Sequence, residues 1–178
     1  KYLRVNAHRG YTGQQVARKI LDTNGLYDVD IEMVRGHLSD HYDPRRKVVR
    51  LSQDIYYGTS ITSISVAAHE CGHAMQHARG YAPLSIRSSL VPVVNFASNI
   101  SWLLIALGLF MSRGIFLKIG IILFSASVLF QLVTLPVEFN ASSRALVQLV
   151  DLGIVEGKEL RGSKQVLTAA ALTYVAAA

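Results

Sequence analysis

The charges in this chain avoid its middle. From Ser88 to Ser112 there are 25 consecutive residues without a charge, and from Ile119 to Val137 another 19. Each stretch is long enough for a helix crossing a hydrocarbon core about 30 Å thick. Asn95, Ser98, Asn99 and Ser101 dilute the first stretch, so its most apolar part is Trp102–Met111. Asn95 and Asn99 would be costly facing lipid, which puts them on a helix-facing side or near the headgroups. Ser112-Arg113-Gly114 is a tight polar turn between the two segments, and the whole reads as a transmembrane helical hairpin. The alternative, two buried core helices, requires a protein wall on every side of both.

The flanks carry shorter signals. Thr12-Gly13-Gln14-Gln15 has the form of a capping box, Val16, Ile20 and Leu21 follow at helical spacing, and Asn24-Gly25 supplies the stop. Val29, Ile31 and Met33 alternate with Asp30 and Glu32 as in a half-buried strand. Gly36–Pro44, GHLSDHYDP, is turn-rich and reads as irregular, and Lys47–Ser52, KVVRLS, reads as a second strand. After Gly58–Ser60, the residues Ile61, Ile64, Val66, Ala67 and Ala68 lead into a helix ending near Gly80. Beyond the hairpin, Ala141, Ala145, Leu146 and Leu149 share one helical face that Gly153 closes. The expected fold is therefore mainly α with a small β-sheet.

Composition adds compartment and partners. The net charge of +6 comes from twelve Lys/Arg and eight Asp/Glu before Ser88, two basic residues in the hairpin, and four of each sign after Val137. No run is dense enough to suggest nucleic acid. Basic residues flanking membrane segments favour the cytoplasmic side. The expectation is thus a multi-pass protein of the cell membrane with both flanks cytoplasmic and the lipid bilayer as a partner, although Arg113 and Lys118 at the far turn oppose that orientation. Arg79 and Arg87 read as anchors at the lipid interface. The single cysteine, Cys71, excludes an internal disulfide. The opening Lys1-Tyr2-Leu3-Arg4 and the closing apolar run Thr168–Ala178 raise the expectation that further membrane helices flank these residues.

The chemistry lies in AAHECGHAMQ, Ala67–Gln76. Residues i and i+4 share a helix face about 6 Å apart, so His69 and His73 direct two imidazoles at one metal ion. Glu70, one step round the helix, reaches a water on that metal without being a ligand, the arrangement by which zinc hydrolases use a glutamate as general base. With six His and five Glu in 178 residues, chance supplies roughly 0.006 such motifs. Small residues at Ala67, Ala68, Gly72 and Ala74 allow close packing, and the strand KVVRLS precedes the motif as needed for an extended peptide to pair above the metal.

A catalytic zinc usually takes three protein ligands. His77 lies about 12 Å along the helix from His69, too far to join it. Cys71 points away and reads as a packing residue. Glu138 is the better candidate, because it follows the hairpin and opens the helix EFNASSRAL; Asp54, Glu156 and Glu159 are weaker rivals. Asp40, His41 and Asp43 hold a turn, form a second metal site or line a cleft, the first being the commoner use of such a cluster. His77, Tyr81, His41 and Arg144 have the chemistry to stabilise an oxyanion, and the spacing does not choose among them.

GHLSDHYDP, VAAHECGHAMQ, LPVEFNAS (Leu135–Ser142) and AAALTYVAAA (Ala169–Ala178) together resemble the YugP-type membrane neutral zinc metallopeptidases over the whole chain. The pattern is also similar to the HtpX and CAAX prenyl-protease zincins, which place two membrane helices between HExxH and a glutamate opening an E-x-x-A-D helix. The resemblance implies a gluzincin-like integral membrane zincin with the hairpin inserted between HExxH and the third ligand. It makes His69, His73 and Glu138 the ligands of one Zn2+ per chain, Glu70 the base, and a peptide or protein at the membrane surface the substrate. Residues 1–87 and 138–178 are then the two parts of a catalytic domain, and 88–137 the hairpin. Where the wider pattern has Asp, this chain has Ser142, which orients a ligand without adding charge. The rival expectation is a non-catalytic membrane adaptor with a structural zinc site.

Overall fold

The computed structural model describes residues 5–176; the opening Lys1–Arg4 and the last two residues of the C-terminal apolar run lie outside them. The chain forms two compact units, Lys1–Tyr81 with Val137–Ala171 and Ala82–Pro136 with Leu172–Ala178. It is mainly helical, with one small sheet and two long apolar helices.

In the first unit, α1 (Gly13–Thr23) starts at the expected capping box, Thr12 Oγ1 accepting from the Gln15 N–H while the Gln15 side chain accepts from the Thr12 N–H. Strands β1 (Asp30–Val34), β2 (His41–Asp43) and β3 (Val48–Ser52) form a sheet in the order β1-β3-β2. β3 pairs parallel with β1, Ile31 opposite Val49, and antiparallel with β2, Tyr42 opposite Val49. A short α2 (Gln53–Tyr56) then leads to α3 (Ile61–Ala78), capped by Ser60 Oγ, which accepts from the Ser63 N–H.

The sheet departs from the sequence pattern. GHLSDHYDP is not wholly irregular, because it contains β2. Three residues, His41, Tyr42 and Asp43, carry no periodicity; the strand is held by Arg50 on β3, whose guanidinium donates to Asp43 at 3.0 Å on one side and Glu32 at 3.0 Å on the other. β1 is also more exposed than its alternation suggests, Met33 being 45% exposed. β3 is paired on both sides and therefore offers no free edge.

The core gathers Val16, Ile20 and Leu21 of α1, Val49 and Leu51 of β3, and Ala67, Ala68, Cys71 and Ala74 of α3 against Ala145 and Leu149. The last two belong to α5 (Gly114–Asp151), and α6 (Gly157–Ala176) adds Leu167. α5 runs unbroken through Pro136, so Glu138 does not open a helix but lies within a 38-residue one. Proline removes one N–H donor and disturbs the turn before it; here it does not end the helix.

The second unit holds α4 (Ala82–Phe110) and the first part of α5. The expected turn falls between them, Ser112 taking φ 53°. Gly108 lies against the Leu117 backbone and Gly120 against Ile105 and Ser101, so neither has room for a Cβ. Small residues permit this close approach of two helices in lipid. α4 and α5 are long and apolar enough to cross a membrane, and only 6% and 11% of their most apolar stretches are buried, unlike core helices of a soluble protein.

Emptying the centre of the sheet should matter far more than trimming its edge. Leu51→Ala should cost about 2–5 kcal/mol, the range for large-to-small changes in a core, and Met33→Ala less than about 1 kcal/mol; thermal unfolding of the detergent-solubilised protein orders the two.

Candidate metal centre

Helix α3 is buried along most of its length although His69, Glu70, His73 and Gln76 lie on it. Buried polar side chains are costly unless each finds a partner, and the partners come from α5. Gly72 makes the approach possible, because a Cβ there would run into the Ala141 carbonyl. This contact sets Glu138, one turn before Ala141, against both histidines. Glu138 Oε2 lies 3.1 Å from His69 Nε2 and 3.5 Å from His73 Nε2, with both imidazoles and the carboxylate buried. One ligand atom from each of the three lies within 4.8 Å of the others.

The hydrogen bonds behind the rings fix what those atoms offer. Ser142 Oγ donates to the Leu167 carbonyl at 3.3 Å and stands 3.1 Å from His69 Nδ1. Its only proton is committed to an acceptor, so it must accept from His69 Nδ1–H. His69 Nε2 is then a bare lone pair. His73 Nδ1 likewise stands 3.0 Å from Gln76 Oε1, leaving its Nε2 bare. With both rings neutral, two imidazole nitrogens and a carboxylate oxygen converge without a proton between them, an arrangement that a cation satisfies. Zinc fits by distance as well: bonds of about 2.0–2.1 Å in a tetrahedron put neighbouring donors about 3.3 Å apart, against the observed 3.1 and 3.5 Å. Two nitrogens and one oxygen are a usual donor set for zinc with one position open.

Glu70 is buried next to this cluster. Burial is the main cause that pushes its carboxyl above the ordinary glutamate range; His69 opposes the shift, Glu138 and Asp40 add to it, and His41 opposes it. A carboxylate raised in this way is a better proton acceptor near neutral pH.

The other candidates have other occupations. His77 Nδ1 is 2.8 Å from the Tyr42 hydroxyl and lies outside the cluster. Arg144 Nε donates to Asn140 Oδ1 at 2.8 Å. His41 is exposed, its Nδ1 2.8 Å from the Ser39 carbonyl. Tyr81 is half-buried just past α3, its N–H donating to the Gln76 carbonyl. Asp40 accepts from the Ser52 N–H and hydroxyl, tying the start of β2 to the end of β3, and Asp43 accepts from the Arg45 and Arg46 N–H groups and so holds a turn. Asp54 pairs with His37, and Glu156 with Arg9. Cys71 points at the Ala17 carbonyl, and burial pushes its thiol up. Gln76 and Asn140 were missed. Their signal was a polar residue three positions after His73 and another two after Glu138.

Comparison with known proteins agrees with this geometry. The family described as "Putative neutral zinc metallopeptidase" matches residues 1–178. The chain belongs to this family. A relative in Bacillus subtilis (strain 168), the "Putative membrane protease YugP", is 57% identical over 178 residues, which are 100% of this chain and 79% of that protein. No solved structure matches the chain. The family implies zinc, and among the described residues His69, His73 and Glu138 are the group able to hold it.

Gly72→Ala should push α3 and α5 apart at the point where their ligands meet. The expected result is zinc content clearly below one ion per chain by elemental analysis after gel filtration, with the wild-type protein as the reference.

Proposed function

We propose that the chain is a membrane-bound zinc endopeptidase that hydrolyses peptide bonds with Glu70 as general base. The observation that carries this reading is the convergence of His69 Nε2, His73 Nε2 and Glu138 Oε2 beside a buried carboxylate that is not one of the three. His69, His73 and Glu138 would hold one zinc ion. When bound, zinc supplies Lewis acidity, which acidifies a water and polarises a carbonyl oxygen. Glu70 takes the proton of the attacking water as its oxygen bonds to the peptide carbon. The same carboxyl then returns the proton to the amine nitrogen as the C–N bond breaks.

An extended peptide is best received by β2, which is paired on one side only and whose start brings Asp40 and His41 within electrostatic reach of Glu70. Backbone pairing would supply affinity without demanding a particular side chain. The printed name of the 57% identical relative, a membrane protease, supports a site at a membrane surface. The two apolar helices would cross the bilayer as a hairpin. Twelve basic residues before it and two within it favour a cytoplasmic active site. A structural zinc site in a non-catalytic adaptor is less well supported, because such sites are closed by four protein ligands and the cluster supplies three.

Glu70→Gln should retain zinc and lose hydrolysis by about 10²- to 10⁴-fold, the usual contribution of a general base; a variant cleaving a verified peptide at the wild-type rate would remove Glu70 from the mechanism. For the topology, a cysteine placed at Ser112 should react with a membrane-impermeant thiol reagent from the extracytoplasmic side. One placed at Ser39 should not, and the reverse pattern would put the active site outside.

A further inference from the structure

A glutamine with no solvent exposure lies one turn beyond His73, and its bonds leave one orientation. The Val137 carbonyl, 2.9 Å from Gln76 Nε2, can only accept, so the amide nitrogen must be at that end. The second N–H goes to Asn140 Oδ1 at 2.9 Å. Oε1 is thereby turned to His73 Nδ1 at 3.0 Å, and a carbonyl oxygen there requires the proton on Nδ1. Asn140 is fixed in turn, since its Oδ1 also accepts from Arg144 Nε at 2.8 Å. Both donors and the acceptor of the Gln76 amide are used, and two of the three bonds run to α5 on either side of Glu138.

We propose that Gln76, held from behind by Asn140 and Arg144, is the positioning residue of the metal centre: it keeps the His73 Nε2 lone pair on the ion and ties α3 to the turn of α5 that carries Glu138. An amide suits this place better than a carboxylate. Glu70 and Glu138 already put two acidic groups in the site, and a third would add charge and lose both N–H bonds to α5. Arg144 therefore acts through Asn140 rather than on a substrate. The inference rests on His69, His73 and Glu138 being a zinc site.

The test is zinc affinity of the full chain in detergent, by competition with a chromogenic chelator. Gln76→Met, close in size but without an amide, should weaken zinc binding by about 10- to 100-fold, the usual effect of removing a group that orients a ligand. Asn140→Leu should weaken it less and add little in the Gln76→Met background, because the two act in one network. Asn140→Asp, which still accepts from both neighbours, should recover near wild-type affinity; a purely space-filling role would not distinguish Leu from Asp. Asn140 and Arg144 are partly exposed, so this pair carries the test if Gln76→Met does not fold. Equal affinities for wild type, Gln76→Met and Asn140→Leu, or losses that add in full, would overturn the inference while leaving the zinc site standing. A wild-type protein that binds no zinc would overturn the site itself.

Discussion

Everything in the first unit is arranged around a group of atoms that would repel one another if left alone. Two imidazole nitrogens and a carboxylate oxygen meet inside the protein, with the rings turned by Ser142 and Gln76 so that lone pairs face inward. Removing such groups from water is expensive, and their mutual placement adds to the expense. A divalent cation reverses the sign of both effects, so metal binding and the packing of α3 on α5 stabilise each other. The close contact of Gly72 with the Ala141 backbone follows from the same constraint, because the ligands reach one another only if the two helices nearly touch.

Much of this was legible in the residues. The capping box at Thr12, the apolar face of α1, the turn at Ser112 and the HECGH spacing all rest on local rules that act over a few residues, and the structure has them. Glu138 was legible by topology: two uncharged segments separate it from the motif, and it is the first acidic residue after them. What was not legible depends on contacts remote in sequence. β2 exists because Arg50, nine residues from His41, holds Asp43 and Glu32 on opposite sides of β3. Glu138 was expected to open a helix, but α5 runs through Pro136 and carries Glu138 in its interior. Gln76 and Asn140 are ordinary polar residues until 64 positions of chain fold back to join them.

Ser142 gains a physical reading from the same geometry. The hydroxyl donates a hydrogen bond to the Leu167 carbonyl and accepts one from His69 Nδ1–H, so orientation is kept without another negative charge. With Gln76 doing the same for His73, both rings are held by neutral groups. Carboxylates behind the rings would make the imidazoles stronger donors; neutral partners would leave a bound ion more electron-poor, and hence a stronger Lewis acid.

The most direct test of the central claim is zinc K-edge X-ray absorption on the purified protein. The account predicts two imidazole nitrogens and oxygen donors at about 2.0–2.2 Å, with no sulfur. A scatterer at about 2.3 Å, the zinc–thiolate distance, would bring Cys71 into the site, and a third imidazole would bring in His77; either result would contradict it.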